Sequence, residues 1–295
     1  MEYIVQTLIG GLGVGAIYGL VGLGFNVIFY ISKVANFAQG ELLMLGAYTV
    51  VAIYTATGIP FILAAILGVL ISGVYGLGIY VLVNNRFITD TRTSFTWILA
   101  IFGVSMGTRN LAGQIWGTSP RPFPNVLELG HLSIKGLFVP MEYVTLLALT
   151  IAASIVIELV FSRRHHLGRA IHATARNLCA AELVGINVDY IIRFMFIFGA
   201  VIAGFGGVLI APMLYLSPDM GSDIGLKAIV AAMVGGFGTV GLGVLSGGLL
   251  LGLLEAIGKL VLPGSLQTVI TFILLIVVLL WKPEGILGEK HGERY

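Results

Sequence analysis

The sequence predicts an all-α polytopic membrane protein with about eight or nine transmembrane helices, some of them interrupted by glycine-rich segments. Of its 295 residues, 58% are hydrophobic and only 10% are charged, whereas a soluble domain carries about a quarter charged residues. Several apolar runs reach the roughly 20 residues that a helix needs to cross the hydrocarbon core of a bilayer. The short alternating segments that are typical of a membrane β-barrel are not visible in the sequence.

The predicted spans follow the apolar runs in chain order, which lie near 3–30, 41–57, 60–83, 94–112, 141–161, 191–212, 226–242, 244–262 and 265–281. The first run is long enough to tilt, or to break near Gly22 or Gly24. The run 226–242 is short and rich in glycine, and Gly241 and Gly243 separate it from the next run. It is predicted to be either a full crossing or a partial, re-entrant span, which leaves eight or nine crossings.

The positions of lysine and arginine predict the orientation, because cytoplasmic loops carry an excess of both. The loop 162–190 contains four arginines and is predicted to be cytoplasmic. Alternation along the chain then places 31–40, 84–93 and the C-terminal tail in the cytoplasm as well, and the N-terminus outside. The segment 113–140 faces outside on this scheme. Its four prolines predict an irregular stretch along the membrane surface.

Glycines recur at helical spacing in an early and a late span. Gly11, Gly15 and Gly19 are four residues apart and form one smooth face, which predicts that another helix approaches closely. The same spacing occurs late in the chain, in the pairs Gly243–Gly247 and Gly248–Gly252. We interpret both sets as helix-packing seams.

The segment Gly235-Gly236-Phe237-Gly238-Thr239 concentrates glycine between two apolar runs. One interpretation is close packing of an unbroken helix. The other is an interrupted helix, which would present free N–H and C=O groups to a cavity, as transporter binding sites do. Both interpretations stay open on the sequence alone.

The segment Asn36-Phe37-Ala38-Gln39-Gly40-Glu41 also lies between two long apolar runs. Amide and carboxyl side chains are costly to hold near lipid, so these residues are predicted to face other helices, a water-filled path or the membrane surface. Together the two segments predict a transport pathway formed by Asn36, Phe37, Gln39, Glu41, Gly235, Gly236, Phe237 and Thr239.

Charged residues within the late spans suggest either structural pairing or a role in the pathway. Glu255 and Lys259 are four residues apart in the run 244–262, so they are predicted to pair on one helix face near the outer boundary. Lining the transport route is the alternative. Lys227 lies near Asp219 and Asp223. These charges are predicted to rim an entrance, to contact a docking partner, or simply to sit among lipid headgroups.

Motifs for nucleotide binding and catalysis are missing from the sequence. The nearest candidate for a P-loop, at 252–260, has its glycines one position too far apart and lacks a serine or threonine after Lys259. His165, His166 and His172 belong to a basic loop and lack metal-ligand spacing. We therefore predict a protein that is not an enzyme, with no catalytic residues and no metal site.

The loop 162–190 contains a predicted short helix. Asn177 is a suitable N-cap for a helix from Leu178 to Val184, and Gly185 supplies the left-handed position that ends it. A helix of about two turns is marginal in water, so it needs a protein surface to pack on. That surface is either the chain's own helices or a groove in a partner.

These motifs together resemble permease subunits of ABC importers, in particular the LivH-type subunit of branched-chain amino-acid transporters. Segments 168–171 and 180–188 are similar to the coupling loop of the family. Segments 36–41 and 44–48 are similar to a motif in its first half, and 235–240 and 247–248 to a glycine motif in its second half. The tail 282–288 is similar to the usual C-terminal end of the family. The resemblance therefore covers essentially the whole chain, read as a single transmembrane permease domain over 1–295.

The resemblance implies the transmembrane permease subunit of an ATP-driven importer for branched-chain or other small hydrophobic amino acids, in a bacterial inner membrane. It implies four kinds of partner: a second, LivM-like permease subunit, two ABC ATPase subunits, a periplasmic substrate-binding protein and membrane lipid, with no nucleic acid. ATP and magnesium would belong to the ATPase subunits, and this chain would hold no cofactor. The short helix would couple to the ATPase through Asn177, Ala180, Ala181, Glu182, Leu183 and Gly185.

Two alternatives remain on the sequence. The same architecture could import urea, amides or aromatic acids. A stand-alone secondary carrier would need ionisable groups at the membrane midplane, and the sequence offers few of these. A membrane-embedded enzyme is disfavoured because no catalytic constellation is visible.

Overall fold

A computed structural model describes residues 2–84, 94–123, 131–134, 137–261, 267–282 and 285. The helices are α1 (Glu2–Ser32), α2 (Gln39–Thr57), α3 (Phe61–Ile79), α4 (Ser94–Trp116), α5 (Met141–Phe161), α6 (His166–Arg176), α7 (Leu178–Leu183), α8 (Val188–Ile210), α9 (Met220–Gly236), α10 (Leu242–Val261) and α11 (Gln267–Trp281). A π-helical turn, Tyr80–Asn84, extends α3, and a 3-10 turn, Ala211–Met213, extends α8. The predicted segment 85–93 and most of the predicted tail lie outside the described residues.

The all-α polytopic fold is confirmed. Within the part of the chain that the structure describes, six helices are long and apolar enough to cross a membrane, at 3–32, 39–57, 61–83, 141–161, 188–213 and 242–261. The predicted count of eight or nine crossings is not confirmed beyond these six. Helices α9 and α11 have only 17 and 15 residues, and α4 contains Arg109, Asn110 and Gln114, which lower its hydropathy.

The first helix is continuous over 31 residues, so of the two alternatives, a tilted helix or a break near Gly22 or Gly24, the break is wrong. Both glycines serve packing instead. A Cβ at Gly22 would meet the backbone of Ala228, and one at Gly24 would meet Gln39 and the carbonyl oxygen of Gly199. Because these two glycines have no side chain, the backbones of other helices can approach α1 closely while α1 remains continuous.

The prediction of an irregular segment over 113–140 is wrong in part. Helix α4 runs to Trp116, and β1 (His131–Ile134) pairs antiparallel with β2 (Leu137–Pro140). Between them, the backbones of Arg121 and Leu216 form an isolated bridge. Proline is compatible with this hairpin because Pro140 occupies the last position of its strand.

The predicted glycine seam is confirmed between α1 and α10, which pack antiparallel along most of their lengths. Gly15 faces Gly248 and Gly252 so closely that a Cβ would lie 2.6 Å from the Gly248 carbonyl oxygen. Gly11 faces Gly252, and Gly19 faces Leu245. Close backbone approach of this kind is how helices associate where lipid removes the hydrophobic driving force.

Helices α2, α4 and α8 run in the same direction, away from α6 and α7. Gly46 of α2 packs on Gly204 of α8, and Tyr48 of α2 stacks on Trp116 at the last residue of α4. The bundle therefore has two ends. We call the end that carries α6 and α7 the α7 end, and the end where α2 and α4 finish the far end.

Candidate functional site

Of the two interpretations left open for the segment 235–239, the interrupted helix is the one present. Helix α9 ends at Gly236 and α10 begins at Leu242. The intervening turn places Gly236, Gly238 and Gly241 at φ values of 143°, 72° and 154°, a region that side chains disfavour. Gly235 remains helical and packs against the backbone of Gly243. The glycines of this segment therefore have two roles: Gly236, Gly238 and Gly241 allow the backbone to break, and Gly235 allows two helices to approach closely.

Asn26 of α1 occupies the break. Its Nδ2 donates to the carbonyl oxygens of Gly236 and Thr239, both at 2.8 Å, and its Oδ1 accepts from the Gly238 N–H at 3.4 Å. The Thr239 hydroxyl adds a bond to the Gly236 carbonyl at 2.8 Å. The backbone groups expected to face a cavity are therefore bonded to an amide within the chain.

Sequence reasoning missed Asn26. The available signal was an amide side chain deep inside the long apolar run of the first helix, where a polar residue is costly unless it is paired. Asn26 is fully buried, which fits a group whose hydrogen bonds are all made within the protein.

Phe237 lies in the same turn and packs on α1. Its ring centroid is 4.1 Å from that of Phe29 and 6.1 Å from that of Phe25. Aromatic pairs at these separations add to the stability that burial alone provides. The break is thus closed by an amide and an aromatic cluster, both contributed by α1.

The segment before α2 places its amides inside the bundle. Asn36 and Gln39 are fully buried, and the Gln39 Nε2 donates to the Gly199 carbonyl oxygen of α8 at 2.9 Å. The Asn36 Oδ1 accepts from the Ala38 N–H at 3.1 Å, which fixes the turn into α2. Both amides bond to the chain's own backbone in this conformation, and their role in transport stays a prediction.

Phe37 and Glu41 face α4. Phe37 stacks on Phe102 with ring centroids 4.8 Å apart, and the Ser105 hydroxyl donates to the Glu41 carboxylate at 2.8 Å. Glu41 is only 2% exposed and forms no ion pair with the residues that the structure describes. A buried carboxylate with one hydroxyl donor is chemically suited to a cationic or hydrogen-bonding group.

A charged cluster joins α1, α9 and α10. The Lys227 Nζ lies 2.7 Å from the Glu255 Oε1, and the Tyr18 hydroxyl donates to the Glu255 Oε2 at 2.9 Å. The predicted Glu255–Lys259 pair is present at 3.9 Å, but Lys227 is the nearer partner. The expectation that Lys227 rims an entrance is therefore corrected: it bonds to a buried carboxylate.

Asp219 has a partner of its own. It forms an ion pair with Arg109 of α4, and both side chains are largely exposed. Such a surface pair contributes little to stability, on the order of 0–1 kcal/mol. The two aspartates predicted to act with Lys227 therefore do not share one constellation, because Asp219 is engaged elsewhere.

The predicted short helix is present as α7, one residue shorter than expected. The Asn177 Oδ1 accepts from the Ala180 N–H at 3.0 Å, and Gly185 has a φ of 84° at the end of the turn. Ala181 is buried, whereas Leu183 is 89% and Val184 74% exposed. Asn177, Ala180, Glu182 and Gly185 are exposed as well. The helix therefore packs against the rest of the chain through the small side chain of Ala181, and its large apolar side chains are exposed.

Helix α6 connects α7 to the bundle, and sequence reasoning missed it. The Nδ1 of His172 lies 2.6 Å from the Tyr30 hydroxyl of α1, and its Nε2 lies 2.9 Å from the Phe161 carbonyl oxygen of α5. Ile171 is fully buried beside it. The signal was the alternation of apolar and basic residues at helical spacing over 166–176.

The predicted pathway residues fall into two groups. Phe37 and Phe237 both pack against the same core cluster, together with Phe29. Glu41 lies farther along α2 against Ser105. The predicted coupling residues lie in α7 and close to its two ends, and all except Ala181 are exposed. Within the described residues, no group of three or more His, Cys, Asp or Glu side chains could hold a metal ion.

Comparison with known proteins gives consistent matches. The family model described as "Branched-chain amino acid transport system / permease component" matches residues 7–279. The high-affinity branched-chain amino acid transport system permease protein LivH of Escherichia coli (strain K12) is 31% identical over 305 residues, which cover 99% of this chain and 98% of that protein. The corresponding permease protein BraD of Pseudomonas aeruginosa is 31% identical over 313 residues, with the same coverage.

A solved structure, PsaBC from Streptococcus pneumoniae in complex with Fab, aligns with a TM-score of 0.49 and 14% sequence identity. The alignment covers 94% of this chain and 91% of that chain.

Proposed function

This chain belongs to the family of branched-chain amino acid transport permeases, and we propose that it is the transmembrane subunit of an ATP-driven importer for branched-chain or other small hydrophobic amino acids. Its relatives are transport permeases rather than enzymes. ATP and magnesium then act on separate ATPase subunits, and the chain contributes the path and the mechanical link.

The observation that carries this proposal is the exposure of α7. A helix of six residues is far below the roughly 12–15 residues at which an isolated helix becomes marginally stable in water. Its last residue, Leu183, and the following Val184 nevertheless face solvent. An amphipathic helix in this state is suited to a groove on a partner, and an ATPase subunit at the cytoplasmic surface supplies one.

The contacts of α6 supply a route for coupling. Helix α6 ends and α7 begins at Asn177, so a movement of α7 also moves α6. His172 of α6 then bonds to Tyr30 of α1. The neighbouring turn of α1 carries Phe29 and Asn26, which hold the break between α9 and α10. Closure of an ATPase on α7 would therefore reach the predicted pathway residues through α1.

The remaining parts of the proposal follow from the family. The partners are a second, LivM-like permease subunit, two ABC ATPase subunits and a periplasmic substrate-binding protein. The location is a bacterial inner membrane, with the α7 end in the cytoplasm. The pathway is formed by Asn36, Phe37, Gln39, Glu41, Gly235, Gly236, Phe237 and Thr239 within one permease domain.

Uptake of radiolabelled leucine by cells with and without the neighbouring ATPase genes tests the proposal. We expect uptake that depends on this chain and that disappears when the ATPase genes are deleted. Persistent uptake in the deletion strain would instead support a stand-alone carrier. A binding screen on the cognate periplasmic protein identifies the cargo, and binding of urea with no binding of amino acids would contradict the amino-acid assignment.

A further inference from the structure

A cavity of about 330 Å³ lies at the far end of the bundle, between α2 and the last turn of α4. It is separate from the predicted pathway residues, which lie toward the α7 end. Arg121 and Leu216 border it, and their backbones hold each other through two hydrogen bonds of 2.9 and 2.8 Å. Small-molecule sites occupy about 300–1,000 Å³, so this volume suits a small ligand.

The charge of the cavity favours a ligand with a carboxylate group. Arg121 lines it, and none of the described residues that line it is acidic. Arg121 also forms no ion pair with any residue that the structure describes. A guanidinium group binds carboxylates through paired hydrogen bonds, and it remains charged at any physiological pH.

One wall of the cavity is aromatic. The Tyr48 ring stacks on Trp116 with centroids 5.1 Å apart and an interplanar angle of 23°. Tyr48 is only 3% exposed, and its hydroxyl makes no hydrogen bond to any described residue. Buried hydroxyl groups normally have partners, and the Tyr48 hydroxyl has none among the described residues, so it is available as a donor to a ligand. Val51 and Ala52 add an apolar surface beside it.

We propose that this cavity is a binding site for a small aliphatic amino acid, reached before the cargo enters the pathway. The carboxylate binds Arg121, with the Tyr48 hydroxyl as a second donor after a small shift of the ring. The ammonium group donates to the hydroxyl oxygen of Thr55, which also lines the cavity. The aliphatic side chain lies against Val51, Ala52 and Leu216. This inference rests on the proposed function, because it assigns to the permease itself a contact with the cargo that the external binding protein delivers.

Fluorescence of Trp116 tests the site directly. The full chain contains three tryptophans, so the variant with Trp97→Phe and Trp281→Phe leaves Trp116 as the only reporter. The variant is placed in lipid nanodiscs and titrated with L-leucine and, separately, with L-leucinamide, which lacks the carboxylate. We expect a saturable change with leucine below about 10 mM, and at least about tenfold weaker binding of leucinamide.

Substitutions in the same background identify the contacts. Arg121→Gln should weaken leucine binding about tenfold or more, and Tyr48→Phe about fivefold, because each removes one donor. Arg164→Gln, at the α7 end, is the matched control and should leave binding unchanged. Thermal unfolding of each variant shows whether it is folded, and Tyr48→Phe keeps the test valid if Arg121→Gln is not.

Three results would overturn the site: no saturable response to leucine, equal binding of leucine and leucinamide, or unchanged binding in both cavity variants. The uptake experiment separates this failure from failure of the proposed function. ATP-dependent leucine uptake without binding at Trp116 rejects the cavity alone. Binding at Trp116 without ATP-dependent uptake rejects the importer and leaves the cavity.

Discussion

In the packing of α1 against α9 and α10, buried polar groups have partners within the chain, whereas α7 holds large apolar side chains in solvent. Asn26 bonds to the backbone of the broken turn, and Glu255 bonds to Lys227 and Tyr18. The Leu183 side chain, in contrast, is 89% exposed. The polar groups of the first region are satisfied within one chain, and on the proposed function the second region is covered by an ATPase subunit.

This difference separates two kinds of residue in a permease. We call the packing of α1 against α9 and α10 the completed region. A substitution there should lower the stability of the chain, and should change transport only because the chain is less stable. A substitution on α7 should act on coupled transport and leave the stability of the isolated chain unchanged. The following predictions test that separation, beginning with the largest expected effect on the free energy of unfolding.

The substitution Glu255→Leu should have the largest effect. It leaves the Lys227 ammonium, whose side chain is only 20% exposed, without its nearest carboxylate. Removal of one partner from a buried ion pair costs about 3–5 kcal/mol, whereas removal of both partners is far less damaging. Chemical unfolding of the purified chain in detergent should show this loss, and the double substitution Glu255→Leu with Lys227→Met should recover much of it.

Glu158→Leu provides the control, because Glu158 lies on the exposed surface of α5. We expect it to change the free energy of unfolding by no more than about 0.5 kcal/mol. If Glu255→Leu were no more damaging than Glu158→Leu, the charged cluster would not belong to the completed region.

The substitution Asn26→Leu should have the next largest effect. It removes both hydrogen bonds to carbonyl groups and the acceptor of the Gly238 N–H. The Gly236 carbonyl keeps the Thr239 hydroxyl, so not every group in the turn loses its partner. The expected loss is about 1–3 kcal/mol, the cost of leaving a buried polar group unsatisfied.

Asn110→Leu is the matched control for this prediction. Asn110 is exposed on α4, and among the described residues its side chain bonds only to the Met106 carbonyl oxygen one turn earlier. Unfolding of the two variants in the same detergent should therefore separate them by at least about 1 kcal/mol. Equal stability of Asn26→Leu and Asn110→Leu would show that the break does not depend on the amide.

The sequence was sufficient for the fold class, for the packing seam of Gly11, Gly15 and Gly19, and for the capped helix α7. These features are local: the spacing of glycines and the sequence of a cap and a terminal glycine are read from neighbouring residues. The interruption at Gly236 was visible for the same reason, because clustered glycines mark a possible break.

Long-range partners were not predictable from the sequence. Asn26 and Thr239 are 213 positions apart, and Lys227 and Glu255 are 28 positions apart on different helices. The sequence suggested only the pair Glu255 and Lys259, which are four residues apart. Their N–O distance of 3.9 Å is longer than the 2.7 Å between Lys227 and Glu255. One sequence shows which side chains need partners, and tertiary packing decides which partners they receive.

The substitution Leu183→Asp should have the smallest effect on stability and a large effect on transport. Leu183 is 89% exposed, so a charge there should change the free energy of unfolding by no more than about 0.5 kcal/mol. In a partner's groove the same charge would be buried without a counter-charge, so ATP-dependent leucine uptake should fall about tenfold or more. Leu183→Met, which keeps an apolar side chain of similar volume, should retain most of the uptake. Normal uptake by Leu183→Asp, with normal stability, would contradict the idea that this surface receives a partner, because α7 would then be as complete without an ATPase as α1 is within its own bundle.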